Sequence, residues 1–177
     1  MELETVLNQR RSIRKYEERS VLHEDVVACI QAANLAPSWK NSQVTRYYVI
    51  ESQEMIKRVR GALAPFNQEN CLNAPVLIVS TIILNRYGFT REGVAENELG
   101  NGWGYYDCGL QSMNLLLKAT ELGLGSLVMG IRDADVLRDI LDIPNQESIV
   151  SVIALGYANE EVEMPRRKDV LDLAHFY

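Results

Sequence analysis

The stretch YYDCGLQSMNLLLKATELGLG, residues 105–125, constrains the fold more than any other part of the chain. Its apolar residues recur at helical spacing, which predicts one long helix that ends at the glycines. The predicted apolar face is formed by Leu110, Met113, Leu117 and Thr120 and is widened by Leu115, Leu116 and Ala119. A helix that is apolar around most of its circumference needs more cover than one sheet provides. In a chain of 177 residues, a second subunit is a common source of that cover.

The other periodic segments predict a sheet with helices on both faces. Runs of β-branched and aromatic residues predict strands, and apolar residues at helical spacing predict helices. The predicted strands are 44–51, 75–84, 126–131 and 148–158, and the predicted helices are 3–9, 22–35, 53–64 and 133–143. Because residues 75–84 are apolar on both faces, this strand should lie at the centre of the sheet. With no linker in the sequence, we predict a single α+β domain, residues 1–177, around a sheet of about four to five strands.

Composition and charge exclude several classes of function. A net charge of −6 argues against a broad nucleic-acid-binding face. The three cysteines and two histidines lack the spacing of metal ligands or of a disulfide framework, so we expect no metal site and reduced, buried thiols. The chain starts without an apolar leader, and its longest apolar run, residues 74–84, is about half the length that spans a bilayer. We therefore expect a cytoplasmic protein that binds no nucleic acid and no membrane.

Positive charge is concentrated near the start of this acidic chain. The run RRSIR places Arg10, Arg11 and Arg14 around Ser12. Guanidinium groups present paired donors that suit phosphate oxygens, and a serine hydroxyl adds a short donor. In an extended segment, Arg10, Ser12 and Arg14 would share one side. The alternative is a solvated basic turn after the first helix, where positive charge is favourable in any case.

A second polar motif follows the helix predicted at 22–35. The run APSWKNSQ, residues 36–43, contains Ser38, Asn41 and Gln43 after Pro37. Amide side chains both donate and accept hydrogen bonds, as the polar edge of a heteroaromatic ring requires. The alternative is an Asx-type turn that joins the helix to the next strand.

Two further motifs are weaker. In GLGSLVMG, residues 123–130, Gly130 ends a short strand at a point where a ligand could approach the backbone. In PRRK, residues 165–168, a second cationic cluster could close on the same phosphate or form part of a solvated tail. The sequence contains no G-x-G-x-x-G after its first strand, no P-loop and no arguable Ser-His-Asp set. If the chain is an enzyme, a bound cofactor would supply the chemistry.

Taken in this order, the four motifs resemble those of the nitroreductase family of flavin enzymes. The resemblance rests on RRSIR, on Pro37–Gln43, on the long helix with ELGLGSLVMG, and on PRRK, and it covers nearly the whole chain. It implies a three-layer α+β fold with a mixed or antiparallel sheet. It also implies an interlocked homodimer with FMN at the interface, and NADH or NADPH as co-substrate.

The resemblance also implies roles for individual residues. Arg10, Arg11, Ser12 and Arg14 would hold the phosphate, the ribityl chain and the N1/O2 edge of the flavin. The remaining candidates are Pro37, Ser38, Trp39 and Asn41 for the partner subunit's FMN, Asn67 and Asn70 for the ribityl or pyrimidine end, Met129 and Gly130 beside the ring, and Arg166, Arg167 and Lys168 beside the phosphate. No catalytic side chain is assigned, because the cofactor carries the chemistry. Trp39 and Lys40 depart from the small residues common in the family, and residues 85–104 would form a variable cover over the site.

The expected activity is that of an FMN-dependent NAD(P)H oxidoreductase. It would reduce nitroaromatic, quinone or similar electron-poor acceptors by a ping-pong mechanism. Within the family, the alternative is an enzyme that cleaves carbon–halogen bonds or fragments the flavin. The alternatives from other classes are a flavin-binding redox sensor or store without useful turnover, and a dimer without a cofactor.

Overall fold

A four-stranded antiparallel sheet forms the middle layer of the computed structural model, which describes residues 1–86 and 88–177. The strands are β1 Thr45–Ile50, β2 Val76–Ile83, β3 Gly125–Met129 and β4 Glu147–Gly156. The helices are α1 Leu3–Gln9, α2 His23–Asn34, α3 Gln53–Gly61, α4 Pro65–Asn70, α5 Gly102–Glu121 and α6 Ala134–Leu141. Short 3₁₀ turns occur at Trp39–Asn41 and Val170–Asp172. The predicted α+β class is confirmed.

The strand order is β1-β2-β4-β3, so the most apolar strand lies inside the sheet, as predicted. The side chains of β2 alternate between two separate cores. Leu77 and Val79 pack on the face that carries α3 and α6, whereas Ile78 packs on the opposite face beneath α2 and α5. Burial on both faces explains why β2 shows a continuous apolar run instead of an alternating one. The result is the three-layer arrangement that was expected.

The long central helix forms as predicted, and within this chain Leu115 and Ala119 are the buried members of its predicted apolar face. Its buried positions are Gly104, Asp107, Cys108, Gln111, Leu115 and Ala119. Met113 is 37% exposed, and Leu110, Leu117 and Thr120 are half-buried. Asp107 and Gln111, which the prediction left out of the apolar face, are buried as well. Both carboxylate and amide find hydrogen-bond donors inside the protein, which removes most of the cost of burying them.

Gly123 terminates α5, as predicted. It has φ of +77°, a conformation that costs glycine nothing. The Gly123 N–H bonds to the Thr120 carbonyl at 3.0 Å, and the Leu124 N–H bonds to the Ala119 carbonyl at 2.8 Å. These two bonds cap the last turn and direct the chain straight into β3.

Two other features bear on the site. The segment PFNQEN folds as the short helix α4, which was not predicted.

Cys29, Cys71 and Cys108 are free and fully buried, and burial raises the pKa of Cys29 to about 12 and that of Cys71 to about 11. No helix among the described residues is long and apolar enough to cross a membrane.

Candidate functional site

The RRSIR segment runs along the outer edge of the sheet beside β3. Ser12 forms a parallel bridge with Ser126, and the Ile13 N–H donates to the Ser126 carbonyl at 3.0 Å. Ile13 is buried against Gly125, where a Cβ would lie only 2.7 Å from the Ile13 Cγ1. The glycine is therefore required for the approach of this segment to the sheet. Burial of Ile13 fixes the segment and leaves its polar neighbours at the surface.

Arg10 lies within electrostatic range of Arg167, although the two residues are near opposite ends of the sequence. Partial burial and the charges of Arg167 and Arg11 lower the pKa of the Arg10 guanidinium. Among the described residues, no carboxylate lies within ion-pair distance of Arg10 or Arg167. Two mutually repelling cations without a counter-charge favour the binding of an anion between them. The structure thus brings the N-terminal and C-terminal basic motifs together.

Arg11 is committed to the backbone. Its Nε donates to the Val162 carbonyl at 3.1 Å, and its Nη1 donates to the carbonyls of Asn8 and Arg10 at 2.7 and 2.8 Å. These bonds tie the end of α1 to the chain that follows β4. A cleft of about 340 Å³ lies between these two segments and the end of α5. Arg11 shapes one wall of this cleft, which Glu160 and Glu161 also line.

Arg14 projects from the next turn of the same segment and is exposed. The Glu160 carboxylate accepts from the Arg14 backbone N–H at 2.5 Å, and the Arg14 Nη1 donates to the Ser12 carbonyl at 3.1 Å. A small cleft beside Arg14 is lined by Glu69 and Asn159, among others. Arg14 therefore lies near the end of α4, where Asn67 and Asn70 are located.

The end of β3 lies against the start of α4. The Asn67 Nδ2 donates to the Ile131 carbonyl at 3.2 Å, and the Ala64 N–H donates to the same oxygen at 3.3 Å. Met129 is buried, whereas Gly130 is exposed with open space where a Cβ would lie. The predicted residues Asn67, Met129 and Gly130 thus border one edge of the sheet. The half-buried Asn70 lies one turn beyond Asn67 on α4.

The loop 37–43 has an unusual backbone. Lys40, Asn41 and Gln43 all have φ near +50°, and none of them is a glycine. Each such residue costs about 1–2 kcal/mol, so contacts from elsewhere must hold the turn. The Ser38 Oγ accepts from the Gln43 N–H at 3.2 Å, and the Ser42 Oγ donates to the Trp39 carbonyl at 2.7 Å. The turn is therefore built to hold Ser38 and Asn41 in fixed positions.

Asp107 anchors this loop from below, and sequence reasoning missed it. Its carboxylate accepts from the Trp39 N–H at 2.7 Å, although the residue is only 3% exposed. Burial raises the pKa of Asp107, and the hydrogen bond from Trp39 opposes that shift. The Trp39 ring packs on Trp103 with a centroid distance of 4.5 Å, and Trp103 contacts Tyr106 at 5.9 Å. The helix carries several other polar residues, so its sequence pattern did not single out Asp107.

Within one chain, the predicted residues form two groups. Arg10–Arg14, Asn67, Met129, Gly130 and Arg167 gather around β3, whereas Pro37–Asn41 lie at the opposite end of α5. The Asp107 anchor and Thr120, which lines the cleft beside Arg11, are separated by ~20 Å at 1.5 Å per helical residue. Arg166 and Lys168 are exposed, with no hydrogen bond or ion pair to the described residues. The loop 37–43 therefore does not reach the basic cluster of its own chain.

Comparisons with known proteins agree on one family. The model of the Nitroreductase family matches residues 7–70 and 60–157. An Archaeoglobus fulgidus protein provisionally named NADH dehydrogenase/NAD(P)H nitroreductase is 30% identical over 90% of this chain and 87% of its own length. A Vibrio harveyi NADPH-flavin oxidoreductase is 29% identical over 93% of this chain and 69% of its own length. The crystal structure of a Streptococcus pneumoniae family member superposes with a TM-score of 0.87 at 24% identity, covering 99% of this chain and 100% of the other. The fold implied by the resemblance is confirmed.

Proposed function

Because the chain belongs to the Nitroreductase family, we propose that it is an FMN-dependent oxidoreductase that takes hydride from NADH or NADPH and passes electrons to an electron-poor acceptor. The single observation that supports this function best is that Arg10 and Arg167 lie within electrostatic range of each other, with no carboxylate at ion-pair distance from either among the described residues. A phosphate monoester with a charge near −2 would balance these two cations. The proposed acceptors are nitroaromatics, quinones and similar compounds, reduced by a ping-pong mechanism.

The residues around β3 fit FMN in chemical type. Arg10 and Arg167 would hold its phosphate, with the exposed Arg166 and Lys168 adding to the positive field. Ser12 and Arg14 offer donors further along the same segment, and the amide oxygen of Asn67 is free to accept while its Nδ2 bonds to Ile131. The open backbone at Gly130 lets a flat ring approach the end of β3. When bound, FMN supplies the hydride-transfer chemistry, and the chain positions it and sets its electrostatic surroundings.

We also propose that the site is completed by a second copy of the chain. The separation of the loop 37–43 from the basic cluster of its own chain supports this arrangement. So does the outward face of α5, where Tyr105, Tyr106 and Met113 are exposed. In a homodimer, Ser38 and Asn41 would contact the FMN that is held by the partner's basic cluster. The strained but well-anchored turn suits this role, because it holds both side chains in place before the ligand arrives.

The experiment that tests the function is an absorption spectrum of the purified protein, before and after anaerobic addition of NADH or NADPH. We expect the visible bands of oxidised flavin, which bleach with the preferred nucleotide and return when a quinone is added. A yellow protein that neither nucleotide bleaches would favour the redox-sensor alternative. A colourless protein that also fails to bind added FMN would exclude the flavin function.

A further inference from the structure

Residues 88–101 form a folded loop between β2 and α5, here termed the cover segment. It is closed by a bridge between Phe89 and Ala95 and by a bond from the Glu96 N–H to the Gly88 carbonyl at 2.6 Å. The Asn97 Oδ1 accepts from the Trp103 Nε1 at 3.0 Å, which seats the segment on the first turn of α5. The cover segment is thus an ordered unit with its own internal hydrogen bonds.

One contact joins the cover segment to the strained loop. The Lys40 Nζ lies 2.8 and 2.9 Å from the two carboxylate oxygens of Glu96. No other hydrogen bond or ion pair between the cover segment and residues 37–43 occurs in the part of the chain that the structure describes. Lys40 itself has a left-handed backbone, with φ of 49° and ψ of 27°. Strained residues persist where the surroundings over-determine them, and they concentrate at functional sites.

The neighbouring aromatic contact is of a different kind. Trp39 packs on Trp103, which belongs to α5, and the Trp39 backbone is held by Asp107 of the same helix. This contact therefore does not require the Lys40–Glu96 pair, although the Trp103 indole also donates to Asn97 of the cover segment. The Lys40–Glu96 pair is more exposed, with 64% of the Lys40 side chain and 29% of the Glu96 side chain accessible. The exposed Lys40–Glu96 ion pair is therefore the weaker contact, and the Trp39–Trp103 pair forms an aromatic wall that does not depend on it.

We propose that the Lys40–Glu96 pair is a specificity-determining contact that limits the size of the acceptor. This inference rests on the proposed function, which places the loop 37–43 beside the partner subunit's FMN. With the pair formed, the cover segment is fastened to this loop, and the acceptor must fit between the aromatic wall and the segment. With the pair broken, the segment keeps its bonds to Trp103 of α5 and to Asn85 after β2, and the entrance on the side of Lys40 widens. Small acceptors enter in both states, whereas bulky ones need the open state.

The test uses reciprocal charge reversal in the full-length protein. Lys40→Glu and Glu96→Lys each place like charges together, and the double variant restores an opposite pair. Glu98→Lys is the matched control, because it makes the same charge change in the cover segment at an exposed residue that has no hydrogen bond or ion pair to the described residues. The first measurement is the rate of tryptic cleavage after Arg91, followed by fragment mass, with and without FMN. The second is the ratio of kcat/KM for a bulky quinone to that for a small one.

We expect each single reversal to raise both the cleavage rate and the bulky-to-small ratio by about two- to tenfold, since an exposed pair contributes little and like charges repel by a similar amount. The double variant should return both quantities to the wild-type values, and the control should leave them unchanged. Wild-type protein in 1 M salt should resemble the single variants. If the cleavage rate is unchanged in both reversals, the Lys40–Glu96 pair does not hold the cover segment. If the cleavage rate changes but the bulky-to-small ratio of kcat/KM does not, the pair has no role in specificity. If the wild-type chain neither binds FMN nor turns over, the proposed function is wrong. The cleavage rate measured without FMN would still show whether the ion pair holds the cover segment.

Discussion

The basic cluster around β3 and the loop 37–43 are both suited to hold a ligand, but the unfavourable energy has a different origin in each. In the cluster, the backbone is ordinary and the cost lies in unbalanced charge between Arg10 and Arg167. In the loop, charges are paired and the cost lies in three left-handed residues held by Ser38, Ser42 and Asp107. Ligand binding should relieve the first cost and leave the second unchanged. Substitutions of the cluster arginines should therefore act mainly on binding, and substitutions of the residues that hold or strain the turn should act mainly on folding.

The largest expected effect separates the two regions by ligand affinity. Arg10→Gln removes a charge-assisted contact to the proposed phosphate, which is worth about 1.5–3 kcal/mol. FMN should bind about tenfold to a hundredfold more weakly, measured by titration of flavin fluorescence. Arg58→Gln, at an exposed position on α3, is the matched control and should bind FMN as the wild type does. Equal affinity in all three proteins would remove Arg10 from the site.

The next effect is on folding and concerns the anchor of the loop. Asp107→Leu leaves the half-buried Trp39 N–H without an acceptor, which costs about 1–3 kcal/mol of unfolding free energy. Asp107→Asn keeps an acceptor oxygen and removes the buried charge, so it should cost less. Chemical denaturation of both variants measures the difference. If the two substitutions were equally damaging, the hydrogen bond to Trp39 would not be what holds the loop.

A smaller effect should come from relieving strain in the turn. Gln43→Gly removes the penalty for a left-handed residue, about 1–2 kcal/mol, and adds the entropy cost of glycine, about 0.5–1 kcal/mol. We expect the free energy of unfolding to rise by up to about 1 kcal/mol. Lys57→Gly, at an exposed position inside α3, should lower it instead. A lower melting temperature for Gln43→Gly would show that the glutamine side chain stabilises the turn more than its backbone strains it.

The smallest effect is the stability of the Arg10→Gln protein without FMN. Loss of repulsion from Arg167 should leave the free energy of unfolding unchanged or raise it by less than about 0.5 kcal/mol. The melting temperature should therefore stay the same or rise slightly. The difference should shrink at high ionic strength, where the charges are screened. Thermal melts at two salt concentrations provide the check. A clear loss of stability would mean that the Arg10 guanidinium supports the fold, contrary to the distinction between the two regions.

Most of the architecture could be predicted because burial leaves a clear record in the sequence. The continuous apolar run of β2 gave its central place, and the helical spacing of α2 and α6 gave their bounds to within a few residues. At the start of α6, the Asp133 side chain accepts from the N–H groups of Asp135 and Val136, a capping contact that aspartate favours. The helix α4 was missed because it has only six residues and no apolar periodicity.

The candidate site was harder to derive. RRSIR and PRRK stand near opposite ends of the sequence, and their meeting depends on the whole topology of the sheet. The family resemblance supplied that pairing, and spacing alone did not. Asp107 could not be found by pattern, because its partner is a backbone N–H that only the folded loop presents. The Lys40–Glu96 ion pair was not predicted either, because the two residues are distant in the sequence and meet only in the folded chain.

The burial of Cys29, Cys71 and Cys108 makes the native chain suitable for site-directed labelling. Thiol reagents attack the thiolate, and burial both shields these sulfurs and raises the pKa of each thiol. A maleimide dye should leave the wild-type protein unmodified. A single cysteine introduced at the exposed position 98 would then carry the dye alone, without prior removal of native cysteines. The wild-type chain can therefore serve as the parent for a variant whose dye reports movement of the cover segment when electron acceptors bind and leave.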